Sequence, residues 1–262
     1  MELVFKIIRF EFNNILRTKW IIIYAGFFFA VSYLLLNFES DAGKAAISLM
    51  NIVLIVIPLV SIIFGTMYIY NSREYIEMML CQPINRKSLF IGLYLGNTLP
   101  LALAFALGVT VSFILNATSF NNISALIILI ISGAALTFIF TSIAFLVSIK
   151  FSDKVKGFGF AILLWLMLAV IYDGFILFII YFFRDYPIEK VVLFITLFNP
   201  IDLGRMMFIL NFDYSALMGY TGALFQKFFG TSLGEILSMV FLLLWIIIPT
   251  YFSSRAFLRK DF

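Results

Sequence analysis

A chain of 262 residues that is 63% hydrophobic and only 12% charged, with a mean hydropathy of +1.10, is too apolar for a water-soluble domain, where about a quarter of the residues are charged. One cysteine, Cys81, and no histidine exclude a disulfide framework and a multi-cysteine metal site. They also remove the commonest metal ligand and general base, and the net charge of +4 needs no nucleic acid to explain it once topology is considered.

The first predicted element is the stretch "MELVFKIIRFEFNNILRTKW", residues 1–19 and the following Trp20. Glu2, Lys6, Arg9, Asn13 and Arg17 recur at three- and four-residue spacing as one polar stripe, while Leu3, Val4, Ile7, Ile8, Phe12, Ile15 and Leu16 cover much of the rest. Such a pattern predicts an interfacial helix whose basic residues lie near anionic lipid. It lacks the short apolar core and small-residue cleavage site of a signal peptide.

Six segments are then long enough to cross a hydrocarbon core of about 30 Å as helices: Trp20–Asn37, Ala46–Tyr70, Leu89–Asn116, Ala125–Lys150, Gly157–Phe183 and Leu233–Phe252. The fold class is therefore an all-α integral membrane protein, one transmembrane domain over residues 1–262.

Between the second and third spans, residues 71–88 within "NSREYIEMMLCQPINRKSLF" predict a short helix from Arg73 to Leu80, stopped by Pro83. Tyr75, Ile76, Met79 and Leu80 are expected to be exposed on it for docking, beside the acids Glu74 and Glu77, a pattern that suits a groove on a soluble partner and also a plain amphipathic turn.

The fifth span carries Asp173, the one acid deep within a span. An intramembrane carboxylate is costly and points to function, although a hydrogen-bonded packing role fits the same position. Asn97, Thr98 and Thr110 on the third span are its predicted polar partners.

Residues 184–232 separate the last two spans. Asn199-Pro200 predicts a helix start, and Asp202 and Arg205, three residues apart, predict an ion pair on it. Asp213 opens a second element, in which Gly219, Gly222 and Gly230 permit close approach, and Tyr214, Tyr220, Phe225, Phe228 and Phe229 are interface anchors. The segment reads as a binding platform or a piece lying in the membrane. Met206, Met207 and Met218 are thioethers of the kind that suits Cu(I), but methionine is also a common apolar filler.

Charge sets the orientation. With the N-terminus inside, 13 of the 18 basic residues fall on cytoplasmic segments and five outside (Lys44, Arg184, Lys190, Arg205 and Lys227), as the positive-inside rule requires. A seventh span through residues 191–210 would place the basic tail "SSRAFLRKDF" outside and leave Asn199, Asp202 and Arg205 at membrane depth; the segment is expected to be partly re-entrant or interfacial.

The N-terminal helix, six spans and the segment "EYIEMMLCQPINRKSLFIGLYLG" together resemble the permease subunits of ABC type 2 exporters, with an elbow helix at 1–19 and a coupling helix in the loop 71–88. The Gly-Thr pair that often follows the acidic residue in that family is absent here. "GLYLGNTLPLALAFALG", "AVIYDGFILF", "FNPIDLGRMMFILNFD" and "SALMGYTGALFQKFFG" are similar, more narrowly, to the membrane subunits of ABC complexes that serve maturation of periplasmic nitrous oxide reductase.

That resemblance implies a bacterial inner-membrane location with both termini cytoplasmic, a two-fold homodimer and two copies of a cytoplasmic ABC ATPase contacting Arg73, Glu74, Tyr75, Ile76, Glu77, Met79 and Leu80. It also implies a periplasmic NosD-like protein docking at Asn199, Asp202, Arg205, Asp213, Tyr214, Tyr220 and Phe225, and a copper lipoprotein, in copper-site assembly. The chain has no G-x-x-x-x-G-K-[ST] loop, so ATP and Mg belong to the partner and this subunit is expected to hold no cofactor and to be no enzyme. The alternative is a general exporter of lipid, drug or peptide. An intramembrane hydrolase lacks the necessary base or paired carboxylates, and a scaffold would leave the ATPase unstimulated.

Overall fold

The computed structural model describes residues 2–39, 42–116, 123–183, 189–210 and 219–260. They are helical almost throughout: α1 (Glu2–Leu16), α2 (Lys19–Phe38), α3 (Ala42–Asn71), α4 (Arg73–Leu80), α5 (Arg86–Leu115), α6 (Ile123–Lys150), α7 (Lys154–Leu166), a π-helical turn at Met167–Ile171, α8 (Tyr172–Phe182), α9 (Glu189–Thr196), α10 (Pro200–Ile209) and α11 (Gly219–Arg259). Among the described residues, six stretches are long and apolar enough to cross a membrane: 19–38, 43–71, 86–115, 126–150, 154–182 and 236–259. The chain is thus a multi-pass membrane protein with the six spans expected from its hydropathy.

Lipid is as apolar as leucine, so contacts between spans depend on close packing rather than on water exclusion. α5 supplies it through Gly92, Gly96, Pro100, Ala104 and Gly108, one small residue every four positions. A Cβ on Gly92 would meet Ile7 at 2.5 Å, one on Gly96 would meet the Glu11 side chain at 2.5 Å, and one on Gly108 would meet the Ala25 carbonyl at 2.5 Å. The stripe therefore seats α1 at one end of α5 and α2 at the other. In the centre, Phe28, Ile57, Phe105 and Phe140 are fully enclosed, with the Phe28 and Phe105 rings edge to face at 4.9 Å.

At the α1 end, a second cluster gathers Ile7, Ile76, Leu89, Phe90, Tyr94, Phe145 and Phe257. The loops there are stitched across the chain: Tyr70 Oη donates to the Phe151 carbonyl at 2.8 Å, Arg86 donates to the Leu258 and Lys260 carbonyls at 3.2 and 3.1 Å, and Lys260 Nζ donates to the Ile149 carbonyl at 2.6 Å.

α7 and α8 stand at the edge. Only 6% of the fifth span's most apolar window is buried within the chain, against 61% for the fourth.

The segment after the fifth span turns inward. α9 packs on α8 and α11, and α10 on α11, α6 and α3; Gly204 lies against Leu54 and Leu136, well inside the second and fourth spans. The pair is a re-entrant hairpin. The last helix also begins earlier than its hydropathy indicates, at Gly219 rather than Leu233.

Candidate functional site at the inserted hairpin

The hairpin turn at residues 197–199 reaches the middle of the bundle. Asn199 Nδ2 donates to the Leu168 carbonyl at 3.0 Å, and Leu168 is 14 residues from either end of the span 154–182, about 21 Å along the helix. Trp245, near the centre of the span 236–259, donates through Nε1 to the Leu197 carbonyl at 3.4 Å. Non-helical backbone survives at such depth only where protein satisfies its polar groups. The π-helical turn widens the helix at that level, and its Leu168 carbonyl is the one Asn199 uses.

Asn199 also begins α10. Its Oδ1 accepts from the Ile201 amide at 3.1 Å, Pro200 occupies the first turn where its missing N–H costs nothing, and Nδ2 also donates to Asp202 Oδ2 at 2.9 Å. One helical turn on, Arg205 bridges two carboxylates: Nη1 to Asp202 Oδ1 at 3.1 Å and Nη2 to Asp173 Oδ2 at 2.9 Å. Tyr172 Oη ties α8 to α9 through the Ile195 carbonyl at 2.6 Å.

The predicted Asp202–Arg205 pair is thus present, and α10 starts where Asn199-Pro200 places it. Asn199 and Asp202, however, are buried in the bundle and do not form the outer docking surface expected of them, because their polar atoms are spent on the hairpin's own contacts. The partner of Asp173 differs from the expectation. Thr98 and Thr110 donate back to the Tyr94 and Ala106 carbonyls of their own helix, and Asn97 lines a separate cavity near α1; Arg205 takes the role instead. Nothing local links residues 32 positions apart, although a lone intramembrane acid and a lone base in the next apolar segment are a natural pair. The Leu168 carbonyl, Tyr172 and Trp245 carried no sequence signal of membership.

Met206 and Met207 are buried within the bundle and not on an outer surface. This removes them from any exposed copper relay, because their surroundings are apolar side chains. Among the described residues, no group of three or more acids, cysteines or histidines gathers to hold a metal. Asp213, Tyr214 and Met218 lie outside the described residues; Tyr220 and Phe225 fall on the backbone of α11.

The cluster is electrostatically open. With all three groups ionised, two carboxylates face one guanidinium. Asp202 is enclosed, its side chain 3% exposed, but Asp173 and Arg205 are 32% and 29% exposed. A charged pair at that depth cannot face hydrocarbon, so its open side belongs against protein or a water-filled space.

At the other end, α4 spans Arg73–Leu80 as expected, yet its apolar residues do not all point outward. Ile76 is fully buried against the chain's own core, and Tyr75, Met79 and Leu80 pack around the same cluster. Tyr75 stacks on Phe10 of α1 with ring centroids 6.2 Å apart. This corrects the expectation of an outward-facing apolar set: a short helix on a membrane protein must dock on its own chain before it can present a face. Glu74, Met78, Cys81, Gln82 and Pro83 are the exposed side, and Arg73 pairs with Glu77 at 3.1 Å.

Among the described residues the chain thus has six spans, a short helix after the second and an inserted hairpin before the last, the architecture of a multi-pass membrane protein. A family model described as ABC-2 family transporter protein matches residues 30–262, and the chain belongs to that family as a permease subunit. Two relatives are each described as a probable ABC transporter permease protein NosY. The one from Pseudomonas aeruginosa is 25% identical over 84% of this chain and 86% of its own length. The one from Stutzerimonas stutzeri is 22% identical over 82% and 84%.

Proposed function

We propose that this subunit couples a separate cytoplasmic ABC ATPase to the inserted hairpin, and through it to an extracytoplasmic partner in copper-site maturation of nitrous oxide reductase. The observation that carries the coupling is α11. Its C-terminal end is held to Arg86, the first residue of α5 after the α4 loop, through the Leu258 and Lys260 carbonyls, and its middle is held to the hairpin turn through Trp245 and the Leu197 carbonyl. In this reading a displacement of the α4 region passes along α11, across Pro249, to the hairpin. The name NosY carried by both relatives supports the maturation reading, in which a NosD-like protein docks on the outer face.

In this reading α1 is the elbow helix, both termini are cytoplasmic, and the exposed side of α4 (Glu74, Met78, Cys81, Gln82 and Pro83) enters a groove on each of two ATPase copies, which bind ATP and Mg. The uncovered fifth span and the open side of the Asp173–Arg205 pair are closed by a second copy of the chain, giving the two-fold dimer.

Reconstitution with the cognate ATPase tests the coupling. Met78→Glu should lower stimulated ATP hydrolysis about tenfold or more by putting a charge in a desolvated contact, while Trp245→Phe should spare hydrolysis and lower copper loading of the reductase. Full stimulation by Met78→Glu would overturn the docking face, and full copper loading by Trp245→Phe would overturn the route through α11.

A further inference from the structure

We propose that a cavity between α1, α2, α3 and α5 binds one phospholipid from the leaflet on the α1 side, with an acyl chain in its apolar part and an ester carbonyl on Asn97. The cavity measures about 400 Å³ and is lined by Ile15, Ile21, Ile63, Phe64 and Leu101, among others, within the size range of sites that hold small ligands.

Asn97 makes it a site and not merely a void. The residue is 2% exposed, its Nδ2 has no hydrogen-bond partner among the described residues, and it forms part of the cavity wall. A buried amide N–H₂ left unpaired is costly, so the cavity has a donor waiting for an acceptor that an otherwise apolar molecule brings. Thr98, the next residue, satisfies itself on the Tyr94 carbonyl and offers Asn97 nothing.

The position selects a lipid. Thr18, in the turn between α1 and α2, and Asn71, the last residue of α3, line it as well. Arg17 and Lys19 flank Thr18 and are exposed, the charge that attracts a lipid phosphate. Trp20 and Met67 form part of the wall and are themselves exposed on the bundle's side, so access is lateral from the bilayer. An acyl chain, an ester acceptor and an anionic headgroup then meet apolar wall, amide donor and basic rim in that order.

The test is native mass spectrometry of the full chain, delipidated in detergent and titrated with phosphatidylglycerol. One phospholipid per chain should bind saturably and survive activation that strips the others. Asn97→Leu, which removes the donor, and Ile63→Trp, which fills the cavity, should each weaken that one site about tenfold or more. Met67→Trp at the half-exposed mouth is the third arm, and folding of all three is followed by thermal melting and gel filtration. Because Met67 sits at the surface, its variant reports even where a core substitution misfolds. Unchanged binding in the folded variants overturns the proposal, as does binding of free fatty acid in preference to phosphatidylglycerol.

Discussion

α4 and α10 look alike in sequence and behave as opposites in the structure. Both are short helices beside a proline, eight and ten residues long, and each has an acid–base pair one turn apart. In α4 the Arg73 and Glu77 side chains are 43% and 44% exposed; in α10 Asp202 is 3% exposed and its arginine reaches a second carboxylate on another helix. An exposed pair in water is worth about 0–1 kcal/mol, whereas removing one member of a buried pair strands a charge and costs about 3–5 kcal/mol. The same local pattern is surface decoration at one end and a structural keystone at mid-depth.

The sharpest way to break that contrast is Arg205→Leu beside Arg73→Leu. Arg205→Leu leaves Asp173 and Asp202 facing each other without a cation and should lose about 3–5 kcal/mol before discounting for the open side of the cluster. Arg73→Leu should lose less than about 1 kcal/mol. Denaturant or thermal unfolding in detergent reads both, and equal losses would mean that the α10 cluster is well hydrated. Asp173→Asn keeps an acceptor for Arg205 and leaves Asp202 to balance it, so it should unfold much like the parent chain. A loss of coupled ATPase activity in that stable variant would give Asp173 a role beyond packing.

Next in size is the seat of α1. Gly96→Val puts a branched side chain where the Glu11 side chain already stands 2.5 Å from a bare Cβ, and overpacking of this kind costs about 1–3 kcal/mol. α1 should lift from α5, read as new protease sensitivity within residues 1–19. Gly26→Val is the control, since a Cβ there meets nothing within 4 Å.

The hairpin turn answers with an effect of similar or smaller size. Asn199→Ala removes the α10 cap and both donations from Nδ2, to the Leu168 carbonyl and to Asp202. Loss of a cap costs about 1 kcal/mol, and the stranded Leu168 carbonyl adds to it. Hydrogen exchange should quicken in α9 and α10 before it does in α5. Uniform protection across the chain would show that the hairpin does not rest on Asn199.

Why some of this was legible in the sequence and some was not follows from the solvent. Six spans, the limits of α4 and the start of α10 at Asn199-Pro200 are local matters of hydropathy, charge and capping, and they emerge as read. Which face of a membrane helix meets protein is invisible to hydropathy, because lipid and protein interior are alike apolar. That is why Ile76 was taken for an outward residue, why Asp173 was assigned partners on the third span, and why α9 and α10 were not placed fully inside the bundle. The π-helical turn at Met167–Ile171 meets Asn199 through the Leu168 carbonyl, 31 residues away, a contact that no local pattern announces. The small-residue stripe of α5 was readable in principle; its four-residue spacing from Gly92 to Gly108 signals close helix packing.

Glu11 gives the smallest effect and the clearest sign. Named neither in the polar stripe of α1 nor among its apolar residues, it is 3% exposed against α5. Burial pushes its carboxyl above the usual carboxylate range, with Tyr68 and Asn14 beside it acting in the opposite direction. A carboxyl whose folded pKa is raised binds its proton more tightly folded than unfolded. Its contribution to stability is therefore fully present below the unfolded pKa and is lost as pH rises through the folded one. Glu11→Gln, neutral at every pH, should match the parent chain in acid and become the more stable of the two as pH climbs past the ordinary carboxylate range. Melting curves of both chains across that window test it. A variant less stable than the parent at neutral pH would mean that Glu11 is ionised there and held by its neighbours, which would make the α1 end, like the hairpin, a site of buried charge.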